Sequence, residues 1–171
     1  MQTKTVVVMP YDEQWISAFE KIKRELELAL GDLAIAVEHV GSTSVPGLPA
    51  KPIIDIDVVI KDDTVLDDVI QKLGVIGYMH EGDLGIAGRE AFCYDHKPHL
   101  QKHHLYVCVE HSEELRRHLV FRGFLRSNPK AAARYALVKQ KAAQLFPRDM
   151  GKYMVYKSAC IEELYKICGL K

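Results

Sequence analysis

Seven residues, Ile54-Asp55-Ile56-Asp57-Val58-Val59-Ile60, limit more sharply than any others what this chain can become. The run is β-branched and apolar, the composition of a buried strand, yet it carries two acids two positions apart. Side chains alternate along a strand, so Asp55 and Asp57 leave one face while Ile54, Ile56 and Val58 enter the core from the other. Two carboxylates on one face repel each other, and unpaired charge in an apolar segment is costly. A cation between them removes both costs, and hard oxygen ligands of this kind suit Mg²⁺ or Mn²⁺.

The residues before this strand sharpen the picture. Two strands are expected, over Ala34–Val40 and Pro52–Ile60, joined by a loop rich in Gly, Pro, Ser and Thr. Within the loop, Gly41 lets a ligand approach the backbone closely, and Ser42, Thr43 and Ser44 add three hydroxyls. With free N–H groups these form a candidate phosphate cradle. Lys51, at the end of the loop, is placed to neutralise phosphate charge.

A hydrophobic residue, Gly-Ser, twelve residues and then Asp-hydrophobic-Asp-hydrophobic resembles the signature of the nucleotidyltransferase superfamily, with its polymerase-β-like fold. The longer run Glu38-His39-Val40-Gly41-Ser42-Thr43-Ser44-Val45-Pro46-Gly47-Leu48-Pro49-Ala50-Lys51-Pro52-Ile53-Ile54-Asp55-Ile56-Asp57-Val58 resembles the GrpB family, a branch of that fold. So do Pro10-Tyr11-Asp12 with Trp15, the run His103–Val107, His118-Leu119 and Phe121-Arg122, so the resemblance covers nearly the whole chain. It implies an α+β domain over residues 1–171: a mixed sheet with packed helices and a C-terminal helical segment closing over the site. It further implies that Gly41 and Ser42 hold a nucleotide's phosphates and that Asp55 and Asp57 bind the divalent metal.

The superfamily's third carboxylate occupies an adjoining strand. The expected neighbour, His103–Val109, contains no acid and offers only His104 and Tyr106 on the relevant face, with Glu110 at its end and Glu90 opening another strand. His104 reads equally well as an ordinary half-buried histidine or as the general base of a transfer reaction. Three readings therefore stay open. One is a metal-dependent nucleotidyltransferase acting on a small molecule or protein. Another is a nucleotide- or phosphometabolite-binding module without chemistry, linked to coenzyme A metabolism because the family occurs fused to dephospho-CoA kinase. The third is an assembly partner.

Charge narrows the partners. Lys plus Arg number 23 and Asp plus Glu also 23, so the basic excess of a broad nucleic-acid surface is missing. That argues against extended DNA or RNA, not against a nucleoside triphosphate or a phosphorylated small molecule. No long apolar run or leader pattern appears, and Cys93, Cys108, Cys160 and Cys168 lie scattered in apolar contexts, which fits a reducing cytoplasm and no membrane. Oligomeric state leaves no readable mark.

Elsewhere, Thr5–Met9 reads as an edge strand ended by Pro10, and Asp12 as the cap of a helix with core positions Trp15, Phe19, Ile22 and Leu26, closed by Gly31. A second helix is expected over residues 63–73, and short strands over Tyr78–His80, Glu90–Tyr94 and His104–Val109. Ser112, Pro129 and Asp149 open three further helices, the last with a stripe of Tyr153, Tyr156, Cys160, Leu164 and Ile167. Arg89, Arg122 and Lys157 are candidate phosphate contacts. The group Asp95, His96, His99, His103 and His104 has no recognised zinc spacing and reads as solvated.

Overall fold

The computed structural model describes residues 5–170. A five-stranded sheet carries the order β1-β2-β5-β4-β3, with β1 at Ala36–Val40, β2 at Ile54–Ile60, β3 at Met79–Gly82, β4 at Arg89–Cys93 and β5 at His103–Val109. β2 runs antiparallel to β1 and parallel to β5; the other pairings are antiparallel. The sheet is mixed because the crossover between the parallel strands holds a helix and a hairpin.

Two helices cover one face. Helix α1 (Gln14–Leu30) contributes Trp15, Phe19, Ile22, Leu26 and Leu30, and α2 (Leu66–Val75) contributes Val69 and Leu73. They meet Ile54, Ile56, Val58 and Ile60, the alternate residues of β2. That clustering is what the period of two demands. At the start of α1 the carboxylate of Asp12 accepts from the Gln14 N–H at 2.9 Å, and Gly31, at φ 53°, ends the helix.

The remaining helices, α3 (Glu113–Ser127), α4 (Pro129–Leu145) and α5 (Met150–Ile167), lie toward the other face. Ser112 accepts from Leu115 N and Asp149 from Lys152 N, so both expected caps form. Leu115 of α3 packs against Val59 and Cys108, on the face that also bears the two acids of β2.

Three expectations change. Thr5–Met9 forms no strand; only Met9 bridges Ala50, while Val6 binds the Pro147 carbonyl and packs on Ala142 and Tyr153. This segment meets helices rather than a sheet edge, so its β-branched residues serve packing alone. In α5 the buried positions are Tyr153, Lys157, Cys160 and Leu164, and Ile167 is exposed. The helix is therefore rotated so that a lysine occupies its inner face. Finally, the histidines of the 95–104 segment separate: His99 meets Glu25, His103 stacks on Tyr94 in the core, and His104 faces the opposite side. Among the described residues no helix is long and apolar enough to cross a membrane.

Candidate functional site

The turn that joins β1 to β2 is built around a close approach. Gly41 has φ 73° and ψ −172°, a conformation that side chains disfavour. A Cβ at this position would lie 2.3 Å from Oδ2 of Asp55, so the glycine also makes room for that carboxylate. Ser42–Ser44 then form a short 3₁₀ turn. Within the turn the Ser44 amide donates to the Gly41 carbonyl and the Val45 amide to the Ser42 carbonyl.

Two arginines of α3 hold this turn from outside. Arg126 donates to the Ser44 carbonyl from Nε and Nη2, at 2.9 and 2.7 Å. Arg122 donates to Glu38 Oε2 and to the His39 carbonyl, both at 2.8 Å. The hydroxyls divide their work. Ser44 donates to the Gly41 carbonyl, Thr43 shares a hydrogen bond with His39 at 2.9 Å, and Ser42 lines the same cavity as the buried Tyr135. Burial and the two arginines hold His39 down to about 4 against a weaker pull from Asp55, so it stays a neutral ring stacked on Phe19.

Each acid of β2 faces a histidine. Asp55 lies opposite His104 in the β2–β5 register, and its Oδ1 is 2.9 Å from His104 Nδ1. Asp57, 0 % exposed, has Oδ2 2.5 Å from Nδ1 of His118 on α3, whose Nε2 meets Glu114 at 3.0 Å. Burial raises the Asp57 carboxyl despite His118. Burial alone would lower His118, but the hydrogen bond and charge of Asp57, together with Glu114, raise it. Both shifts keep protons on this buried chain. Oδ1 of Asp57 is buried and has no hydrogen-bond partner among the described residues.

Across the cleft the helices present cations. A cavity of about 420 Å³ lies between the turn, the β2–β5 face and helices α3 to α5. Lys51, Lys139 and Lys157 all line it. Lys139 and Lys157 are 2 % and 7 % exposed, each one helical turn beyond a tyrosine, with Nζ 5.1 Å from the Tyr135 ring and 4.6 Å from the Tyr153 ring. Burial first, then the neighbouring lysines, hold Lys157 down to about 8 and Lys139 well below its ordinary value. Among the described residues none of the three has a carboxylate in salt-bridge range.

Of the residues singled out from the sequence, Gly41, Ser42, Thr43, Lys51, Asp55 and His104 line this one cavity. Asp57 lies buried beneath it, and Ser44 is turned into the loop's own bonding. Lys157 and Arg122 both line the cavity, Arg122 while paired with Glu38, whereas Arg89 is not among the lining residues and stacks on Tyr106. Lys139 and His118, which also line the cavity, were not expected there, nor was Glu114 as the second partner of His118. A signal for the lysines was present, since Tyr135-x-x-x-Lys139 and Tyr153-x-x-x-Lys157 place each amine on its helix's apolar stripe. Nothing in the spacing pairs His118 with Asp57, 61 residues away.

The donor set can be tested against a divalent cation. Asp55 and Asp57 supply hard oxygens from one strand face, and the unpartnered Asp57 Oδ1 is a buried acceptor that a cation would satisfy. β5 places His104 and Tyr106 opposite them, an imidazole and a phenol in place of a third carboxylate. Among the described residues no group of three or more His, Cys, Asp or Glu side chains is arranged to hold a metal ion. The residues thus fit one Mg²⁺ or Mn²⁺ completed by ligand oxygens, and do not fit a two-cation centre.

Comparison with known proteins gives a consistent result. A family model described as "GrpB protein" matches residues 5–166. "UPF0157 protein YqkA" of Bacillus subtilis is 32% identical over 93% of this chain, which spans 46% of that protein's length. "UPF0157 protein BH1888" of Halalkalibacterium halodurans is 34% identical over 95% of this chain and 82% of its own. Part of a Mycolicibacterium paratuberculosis protein named "Dephospho-CoA kinase" also matches, at 27% identity over 94% of this chain and 45% of that one. Among solved structures, conserved protein GrpB from Enterococcus faecalis superposes with a TM-score of 0.83 at 36% identity, covering 95% of this chain and 96% of the other. The GLD-2/RNP-8 complex (TM-score 0.59, 12% identity, 86% and 58% covered) and Cid1 with its short product ApU (0.53, 14%, 77% and 42%) share the fold.

Proposed function

From the premise that this chain belongs to the GrpB family and has a nucleotidyltransferase-like fold, we propose that its cleft binds a nucleoside triphosphate and transfers the nucleotidyl group to a small molecule or protein. The observation that carries this reading is the seating of Asp55 against Gly41, in one cavity with three lysines. A phosphate chain entering there meets backbone amides at Ser42 and Thr43, cations from the helices and a carboxylate pair on β2.

Asp55 and Asp57 would hold a Mg²⁺ or Mn²⁺ ion, which when bound withdraws charge from the reacting phosphate. The chain's own part is positional and acid–base. An ionised carboxylate only accepts hydrogen bonds, so the pairing with Asp55 places the proton of neutral His104 on Nδ1 and leaves Nε2 as the basic nitrogen. The acceptor hydroxyl oxygen attacks the α-phosphorus, its proton passes to Nε2, and the bond to the β-phosphate breaks with pyrophosphate as leaving group. Lys51 and the turn amides meet the charge that develops on that leaving group.

One observation favours a second reading. With His104 and Tyr106 where the third carboxylate would stand, the cleft would bind a nucleotide or other phosphorylated metabolite without transferring it. The match to part of a dephospho-CoA kinase connects such a module with coenzyme A metabolism.

A melting-temperature screen with nucleoside triphosphates and Mn²⁺, followed by mass analysis of the products, separates the two. Release of pyrophosphate, abolished in Asp55→Asn and strongly slowed in His104→Gln, supports transfer. Stabilisation without pyrophosphate release supports the binding module. No response to any phosphorylated ligand would exclude both.

A further inference from the structure

We propose that Lys51, Lys139 and Lys157 form a subsite that grips the terminal phosphates of an oligophosphate chain without needing a divalent cation. The inference rests on the reading that this cleft receives phosphates, but not on any cation at Asp55 and Asp57.

Nζ of Lys139 donates to the Pro49 carbonyl at 2.9 Å, and Nζ of Lys51 reaches only the Met150 sulfur at 3.6 Å. Lys157 has no hydrogen-bond acceptor among the described residues and rests on the face of Tyr153. Lys51 lies on the same ring, its Nζ 5.5 Å from the centroid, so one aromatic platform carries two ammonium groups. Three ammonium groups have nine N–H donors between them, and the protein answers few. Buried lysines without an acid partner are rare because desolvation disfavours the charge. Here the cost is compounded, since Lys157 and Lys51 both depress Lys139 and Lys51 depresses Lys157.

Such an arrangement is stabilised by a ligand that brings several negative charges and many acceptor oxygens at once. The three amines reach the cavity from a loop and two helices, and together they carry more N–H donors than one phosphate group has oxygens to meet. A chain of phosphates brings enough oxygens, and the cavity that would take it is lined from Gly41 through to Tyr153 and Lys157 of α5. The sheet side makes a smaller demand, since Asp55 and Asp57 each have an imidazole partner and only Asp57 Oδ1 is left unpartnered among the described residues. The amines therefore serve the role that a second cation plays at an acid-rich site: they neutralise the far end of the chain.

The test uses sodium tripolyphosphate in excess EDTA, read by thermal unfolding and by calorimetric titration. The parent should gain melting temperature, and by more than with equal orthophosphate. Lys157→Met should fold, since it removes an unsatisfied charge, and should bind about tenfold more weakly or worse. Lys51→Met, at a half-buried loop position, is the second variant and should also bind tripolyphosphate more weakly. Lys141→Met, on the exposed side of α4, should match the parent. ATP in EDTA should behave like tripolyphosphate, which would assign recognition to the phosphates rather than the base. Equal stabilisation of parent and Lys157→Met, or none in EDTA, would overturn the proposal. If stabilisation appears only with Mg²⁺ and ATP, the lysine subsite fails while the transferase reading survives. If EDTA changes nothing and Mg²⁺ adds nothing, the subsite stands and the cation role falls.

Discussion

The two walls of the cleft solve the problem of buried charge in opposite ways. On the sheet wall every acid has an internal answer: His104 for Asp55, and the His118–Glu114 pair for Asp57. On the helical wall, three amines share two tyrosine rings and have no carboxylate. Among the described residues the first wall leaves one buried carboxylate oxygen, Asp57 Oδ1, unpartnered, whereas the second leaves most of its amine N–H donors unmet. A folded protein tolerates an unmet charge where binding will later meet it, so the imbalance marks the side from which the ligand's phosphates are held. Both walls hinge on the single turn at Gly41.

That hinge offers the largest expected effect. Gly41→Ala puts a methyl group 2.3 Å from Asp55 Oδ2 and forces a side chain into a conformation that favours glycine. A loss of about 2–4 kcal/mol in denaturant unfolding is expected, with loss of phosphate binding as Asp55 is displaced. Unchanged stability would mean that the close approach does not shape the turn.

Next comes the internal partner of Asp57. His118→Leu strands a fully buried carboxylate and should cost about 2–3 kcal/mol. Asp57→Asn should be destabilised as well, because the charge of Asp57 is matched by His118 rather than left facing Asp55 alone. Either variant equal to the parent would erase the difference between the walls.

The helical wall should respond with the opposite sign. Without ligand, Lys157→Met should unfold at the same or a higher temperature than the parent, since it relieves desolvation and the repulsion from Lys51. The pH dependence follows from the same depression. In the unfolded chain Lys157 keeps its proton up to 10.5, whereas the folded protein releases it near 8. Between these values the unfolded state binds more protons, so the parent gains stability as pH rises. The advantage of Lys157→Met should shrink between pH 8 and 10.5, and binding of tripolyphosphate by the parent should weaken over the same interval. Lys51, Lys139, Asp55 and Tyr153 face this amine, and a variant difference that ignores pH would assign the effect to packing.

The smallest effect belongs to the exposed pair. His104 and Asp55 retain 48% and 33% of their side-chain exposure, so His104→Gln should change stability by well under 1 kcal/mol. Pyrophosphate release, if the transfer reading holds, should fall far more than stability does. A large stability loss with unchanged turnover would make this pair a structural tie like that of Asp57.

What the sequence by itself determined is whatever depends on local rules. The period of two in Ile54–Ile60 fixed which residues enter the core and which reach the cleft, and placed His104 and Tyr106 on the matching face of the next strand. Asp12, Ser112 and Asp149 announced helix starts because capping involves residues two or three apart. Gly41 announced a tight turn, though not that Asp55 would fill the space its missing side chain leaves. Tertiary structure alone decided the rest. Asp57 acquired His118 and Glu114, and Lys139 and Lys157 converged on Lys51, because helices α3 to α5 pack across the sheet with particular rotations. Helical periodicity says which residues share a stripe, but not which distant residue that stripe will meet. Contacts 61 or 90 positions apart, from His118 to the Asp57 carboxylate and from Lys139 to the Pro49 carbonyl, arise from how whole elements dock, and no local pattern encodes that.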